Sequence, residues 1–330
     1  MSKKDEIKKI IDEALFIDVD LEMPKPVITI DNNTIAYYGN FITINGLPKS
    51  RKTTIMQFFI YCAISNAEYL GIKVNINPND KIILIDTEQS IYDFSKQISG
   101  LKYLLKTKKL PDQFSAYLFR KYEPNVILNS IYELVIKEKP KLLFIDNITE
   151  LCINVNDMTE AKAVIQFLKK ISFETNCVIV CLLHLGKGNQ QTLGNLGSMA
   201  DRGAQSVLKV TYDKETNGSI LEPVFLRSAM NFEPITIVYN SDTKMYEKMN
   251  DYRRSSGSKK KLVLDDLKPV DYYNRLSVIF MHQKELMYAE LIEQIKQIFG
   301  CGITIAKTQV IPYLIGNKYI QGNKGIYTQI

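Results

Sequence analysis

The stretch Phe41–Thr54, F-I-T-I-N-G-L-P-K-S-R-K-T-T, constrains the fold more than any other part of the chain. An apolar run, Phe41–Ile44, meets a polar turn starting at Gly46, and a Lys52-Thr53 pair opens an apolar segment through Ala63. Strand, phosphate-sized loop and helix in that order form the context of a P-loop. Backbone N–H groups and the helix N-terminus then converge on an anion, and both favour a triphosphate. Gly46, Pro48, Lys49, Ser50, Arg51, Lys52, Thr53 and Thr54 are the expected ATP-binding residues. Lys52 reaches the β- and γ-phosphates, and the Thr53 hydroxyl holds Mg²⁺. One position departs from the pattern G-x-x-x-x-G-K-[ST]: Arg51 stands where the second glycine belongs. A side chain there can obstruct the close curl of backbone around phosphate, and so reduce turnover more than binding. An ordinary basic turn, K-S-R-K, is the plainer alternative.

The chain has 330 residues, enough for one large domain and a small one. Hydrophobic residues at 45% and charged residues at 24% describe an ordinary globular composition. No apolar run approaches the ~20 residues of a membrane span. The start, MSKKDEIKKIIDEAL, reads as a charged amphipathic helix and not as a signal peptide. The five cysteines (62, 152, 177, 181 and 301) show no zinc-like spacing, which suits buried thiols in a reducing cytoplasm. The net charge of +6 is uneven: residues 251–330 hold 12 Lys+Arg against 7 Asp+Glu. That excess fits an acidic partner such as nucleic acid, and equally a solvated basic face.

In chain order, residues 3–15 read as a short helix, and Val27–Ile30 with Thr34–Ala36 as a hairpin about Asp31-Asn32-Asn33. After the P-loop helix come near-continuous apolar runs at Ile82–Asp86, Ala116–Phe119, Leu142–Asp146 and Val178–Leu183. Such runs are what strands buried on both faces look like. Helical patterns at about 92–107, 125–138 and 158–175 separate them. The class is therefore α/β, a mainly parallel sheet covered on both sides by helices. From residue 204, Gln205–Tyr212, Ile220–Leu226 and Ile235–Tyr239 read as hairpins that extend one edge of that sheet. The division is a helical segment 1–23, an ATPase domain 24–248, a basic linker 249–265 and a small domain 266–330. The small domain has helices at Tyr272–Met281, Tyr288–Phe299 and Ile305–Leu314, with Pro312 straining the end of the last. Lys318–Gln321 and Gly325–Thr328 follow as a two-stranded wing. This pattern predicts a winged helix with Lys307, Thr308 and Gln309 facing DNA; a helical cap for protein contacts is the other account.

Candidate chemistry extends beyond the P-loop. Asp146 ends the strand K-L-L-F-I-D, on the ligand side of a parallel sheet, and would hold Mg²⁺ opposite Thr53. Glu88, just past the strand I-I-L-I-D, is the candidate general base for an attacking water, or else a solvated loop acid. His184 ends V-I-V-C-L-L-H, where it can touch the γ-phosphate or serve as a satisfied structural histidine. The following loop, Gly186–Ala200 with Lys187, is long and rich in Gly, Asn and Gln.

The ordered set G-L-P-K-S-R-K-T-T, D-T-E, F-I-D-N, a strand ending at His184, G-S-M-A-D-R-G-A-Q-S-V-L-K-V and F-L-R-S-A-M-N-F-E-P resembles the RecA/DnaB superfamily of P-loop ATPases. Within it the chain looks most like RepA-like hexameric ATPases of plasmids, phages and mobile elements, over roughly residues 24–240. The resemblance implies that Glu88 is the catalytic glutamate, His184 the sensor and the 186–200 loop, with Lys187, the DNA-contacting loop. It places Arg227 where a basic residue reaches the neighbouring subunit's γ-phosphate, an arginine finger in trans; a solvated edge-strand arginine fits equally. It further implies a homo-oligomer, with the hexamer as the family's form, around single-stranded DNA, acting as a helicase or translocase in replication. An ATP-binding regulator or recombination protein that binds DNA without unwinding it is the alternative, and a non-enzymatic assembly protein is a third.

Overall fold

The computed structural model describes residues 3–13, 22–186, 193–249, 269–281, 283–299, 303–323 and 325–329. The chain forms two compact units, Met1–Tyr252 and Arg253–Ile330. The linker expected at 249–265 lies, but for Met249, outside the described residues, as does Lys187.

The first unit is built on strands whose side chains have no polar face. β3 (Phe41–Gly46), β5 (Ile82–Asp86) and β7 (Leu142–Asp146) are buried at every position, and β8 (Val178–His184) at all but its last. With β6 (Phe114–Leu118) and β9 (Ser206–Asp213) they form the parallel part of a nine-stranded sheet. β10 (Gly218–Leu226), β11 (Ile235–Asn240) and β12 (Met245–Lys248) extend it antiparallel, giving the order β12-β11-β10-β9-β3-β8-β7-β5-β6.

The strict alternation of side chains along a strand sends residues to two separate cores. Ile42, Ile44, Leu84, Phe144 and Val180 pack on one face with α2 (Lys52–Ser65) and α3 (Ile91–Leu104). Ile85, Leu143, Ile145, Ile179 and Cys181 pack on the other with α4 (Pro124–Glu138), α5 (Met158–Thr175) and α6 (Gly194–Gly203). The sequence shows no polar stripe along α2 because a second sheet covers its outer side. β1 (Ile28–Ile30), β2 (Asn33–Ala36) and β4 (Ile72–Val74) pair antiparallel in the order β2-β1-β4, and their buried residues join the α2 core. Phe58 on α2 is fully buried and packs against Tyr69 and Tyr246, at 5.4 and 5.1 Å between ring centroids.

In α1 (Lys3–Glu13) Ile7, Ile10 and Ile11 are exposed, and Ala14 and Leu15 of the expected helix lie outside the described residues. The glycine-rich run expected as a loop at Gly186–Ala200 is helical from Gly194, because Leu196 and Ala200 are drawn into the core under α5. Among the described residues no helix is long and apolar enough to cross a membrane. Cys62, Cys152, Cys177 and Cys181 are free and buried, as their apolar neighbours suggest.

The second unit runs α7 (Pro269–Ile279), β13 (Glu285–Met287), α8 (Tyr288–Phe299), a helical segment from Ile303 to Gly316, then β14 (Ile320–Asn323) and β15 (Ile326–Gln329). The strands pair antiparallel in the order β13-β15-β14. The third helix continues past Pro312 to Gly316, and the stretch just before the proline, Ala306–Val310, is π-helical. Lys307 and Gln309 are exposed on that stretch.

Candidate nucleotide-binding site

Parallel strands deliver their C-terminal ends to one edge of the sheet, and four adjacent ends deliver the expected chemistry. β3 ends at Gly46, β5 at Asp86, β7 at Asp146 and β8 at His184. Gly46 pairs with His184 and Asp86 with Asp146, while Ile145 pairs with Cys181, so the β3 and β8 tips reach two residues beyond the β5 and β7 tips.

Between β3 and α2 the chain makes the predicted loop. Lys49 and Arg51 both take left-handed backbone, at φ 66° and φ 70°. Arg51 is the N-cap of α2 and makes no side-chain cap bond, so the first N–H groups of the helix are left for another acceptor. Arg51 adopts the conformation that glycine would, and its guanidinium is directed away from the loop. Nη1 donates to the Asn217 carbonyl and Nη2 to Asn217 Oδ1, each at 2.8 Å. A partner on the β9–β10 turn thus takes up the guanidinium of the residue expected to obstruct the loop.

Lys52 is buried, and its Nζ donates to the Gly46 carbonyl (2.8 Å) and the Leu47 carbonyl (3.1 Å). Burial lowers its pKa to about 8, against the Asp146 and Glu88 charges that raise it. The same Nζ lies 3.2 Å from His184 Nδ1, and His184 Nε2 lies 3.1 Å from Glu88 Oε2. An ammonium only donates and a carboxylate only accepts, so Nδ1 is the bare nitrogen and Nε2 carries the proton. Lys52, His184 and Glu88 thus form one chain of hydrogen bonds. The His184 bond lowers the Glu88 pKa more than partial burial raises it, and Glu88 is held as a carboxylate.

Thr53 Oγ1 donates to Asp146 Oδ2 at 2.8 Å. Asp146 is 5% exposed, and burial raises its pKa to about 7, opposed by the Thr53 bond and reinforced by Asp86 and Glu88. The peptide bond from Asp146 to Asn147 is cis.

Sequence reasoning missed the group that places Glu88. Asp86 is fully buried, and its Oδ1 accepts the Glu88 N–H (3.0 Å) and the Gln89 N–H (2.7 Å). Gln89 Nε2 donates to its other oxygen. Thr87 ties the same turn to the next strand, its N–H donating to the Asp146 carbonyl (2.7 Å) and its hydroxyl to the Asn147 carbonyl (2.8 Å). The acid two residues before Glu88 was visible as D-T-E, but a turn-bracing role needs the backbone path.

On the loop itself Ser50 Oγ is buried without a hydrogen-bond partner. With an uncapped helix N-terminus, a lysine cation and a hydroxyl–carboxylate pair, it fits a polyphosphate with a divalent ion. Thr53 and Asp146 offer Mg²⁺ few protein ligands, which suits an ion that keeps water and takes phosphate oxygens. Among the described residues no group of three or more His, Cys, Asp or Glu forms a denser metal cage.

Arg227 is not part of this constellation. Its N–H donates to the Gln205 carbonyl, at the start of β9, whereas the P-loop lies level with Val210. Five residues of strand put it about 17 Å from the nucleotide edge. Its Nη2 donates to the Arg202 carbonyl at 3.4 Å and the side chain is exposed.

No family model and no curated protein matches the chain. Solved structures similar to it include a KaiC-like protein from the archaeon Pyrococcus horikoshii OT3, with 14% identity over 64% of this chain and 90% of that one, at a TM-score of 0.46. A second protein, solved as its ATPase domain, is similar at 14% identity over 64% and 86%, with a TM-score of 0.48. The flagellar accessory protein FlaH from Methanocaldococcus jannaschii is similar at 14% over 67% and 93%, with a TM-score of 0.49. Overlap this loose carries no argument about activity, which rests on the geometry of the site.

Proposed function

We propose that the chain is a RecA-fold ATPase of RepA/DnaB type that hydrolyses Mg²⁺·ATP at the ends of β3, β5, β7 and β8. The observation that carries the reading is the linked set Lys52–His184–Glu88 beside Thr53–Asp146, gathered from four strands around one uncapped helix. Lys52 exchanges its two carbonyl acceptors for phosphate oxygens, whose negative charge restores the proton affinity that burial takes away. The N–H groups of Lys49–Thr54 hold the phosphates in place. Thr53 and Asp146 hold the Mg²⁺, whose charge offsets that of the phosphates. Glu88, already ionised, takes the proton of a water as its oxygen bonds to the γ-phosphorus and the bridge to ADP breaks. His184 joins the phosphate-binding lysine to the water-binding carboxylate, so a γ-phosphate that draws Lys52 away changes the bond that holds Glu88.

Arg227 lies too far along the sheet to reach this phosphate within one subunit, which suits supply from a neighbour in a ring homo-oligomer. The basic excess of residues 251–330 supports a nucleic-acid partner. In the second unit, the order helix, strand, helix, helix, hairpin with its three-stranded sheet supports a winged helix, with Lys307 and Gln309 on the exposed side of the third helix. The proposal is a ring translocase or helicase on single-stranded DNA, serving replication of a mobile element, plasmid or phage.

Steady-state ATP turnover with and without single-stranded DNA, on wild type and Lys52→Ala, tests it. Turnover that rises with DNA and vanishes in the variant supports the motor, and strand separation of a forked duplex then decides for a helicase. DNA-independent turnover without strand separation decides for the regulator. Binding without turnover leaves an assembly switch and ends the motor reading.

A further inference from the structure

The P-loop is completed by a turn 166 residues further along the chain. Arg51 holds backbone at φ 70° and ψ 29°, a region that side chains disfavour and that a P-loop ordinarily gives to glycine. Its guanidinium grips Asn217 through two bonds of 2.8 Å and lies over the Tyr212 ring, 4.9 Å from the centroid. The Tyr212 hydroxyl donates to the same Asn217 Oδ1 at 2.8 Å, so tyrosine and arginine share one acceptor. The turn is itself braced, Thr216 Oγ1 and the Glu215 N–H donating to the two oxygens of Asp213 at 2.8 and 3.2 Å. Ser219 Oγ adds a longer bond to the Ser50 carbonyl, 3.4 Å. Beside these links lies a cavity of about 230 Å³, whose lining includes Leu47, Pro48, Lys49, Ser50, Tyr212 and Lys214.

We infer that the Asp213–Gly218 turn replaces the missing glycine: Asn217 and Tyr212 are positioning residues that keep Arg51 left-handed and its side chain out of the phosphate path. Charge-assisted bonds and a stacked ring offset the conformational cost that glycine would not incur. Released from Asn217, the guanidinium turns back over the loop and the N–H groups of Lys49–Thr54 lose their alignment. This rests on the nucleotide reading only for its consequence for affinity.

The test is a double-mutant cycle on the full chain with Asn217→Gly and Arg51→Gly, a glycine at 217 keeping the positive φ of 50° there. Calorimetry gives the Kd for Mg²⁺·ADP, and amide hydrogen exchange follows residues 47–55. Asn217→Gly is expected to weaken binding about five- to tenfold and to speed exchange over 50–55, with KM for ATP raised and kcat little changed. Added to Arg51→Gly, the same change moves Kd and exchange by less than about twofold, whatever Arg51→Gly does alone. An equal loss in both backgrounds would show a general role in folding and overturn the inference, as would no loss in either. If wild type binds no nucleotide, the functional reading fails, while the exchange cycle still decides the tether.

Discussion

Replacing Asp146 with asparagine should make the empty protein more stable and remove most of the stabilisation that Mg²⁺·ADP adds. The carboxyl is almost fully buried, and its pKa stands at about 7 against an ordinary 3.8. The folded state therefore binds the proton more tightly than the unfolded one. Stability on this account is lost as pH rises from about 4 through about 7, and is level above that. The full displacement corresponds to about 4 kcal/mol, an upper bound that water entry and the loss of part of the Thr53 bond reduce to about 1–3 kcal/mol. Asp146→Asn should gain that amount at pH 8 and about a third of it at pH 5. The assay is urea unfolding in EDTA followed by circular dichroism, since the chain has no tryptophan. Mg²⁺·ADP at about 100 times its Kd should then stabilise wild type by about 2.7 kcal/mol and the variant hardly at all. A variant less stable than wild type at pH 8 without ligand, or equally stabilised by Mg²⁺·ADP, would refute the account of Asp146 as a metal ligand whose burial costs stability.

Three other changes separate the parts of the mechanism. Asp86→Ala removes the acceptor that fixes the Glu88 turn, and should lower kcat about 10²-fold with KM for ATP within about threefold, read from initial rates. Arg227→Ala should lower kcat about 10³-fold, yet an equal mixture with inactive Lys52→Ala subunits should recover about a quarter of wild-type turnover, because a mixed interface can pair an intact site with an intact finger; no recovery would place Arg227 outside the site. Phe58→Ala should cost about 3–5 kcal/mol by emptying the contact between α2, Tyr69 and Tyr246, measured by urea unfolding.

The site was legible in the sequence where chemistry sits at the end of a uniformly apolar strand. Asp146, Glu88 and His184 each follow a run of buried residues, and burial on both faces is itself the sign of a parallel strand whose tip faces a ligand. Elements too short or too mixed to show a period were not legible. β4 and β13 have three residues, and β12, M-Y-E-K, pairs only along one side of the sheet. α6 carries three glycines, and its helix is imposed by the burial of Leu196 and Ala200 against propensity. The role of Asp86 depends on where a turn folds back, and the Arg51–Asn217 pair spans 166 residues with no local signal. Arg51 was legible as an anomaly; its resolution needed the β9–β10 turn.

The central claim is that Glu88 activates water on a phosphate held by Lys52, with Mg²⁺ held by Thr53 and Asp146. It is tested most directly by phosphate release at saturating Mg²⁺·ATP, together with nucleotide affinity, for wild type and Glu88→Gln. The account predicts that the substitution lowers turnover about 10²- to 10³-fold while Mg²⁺·ATP binds as tightly as before. Turnover by Glu88→Gln within about threefold of wild type, or no turnover by wild type at all, would contradict it.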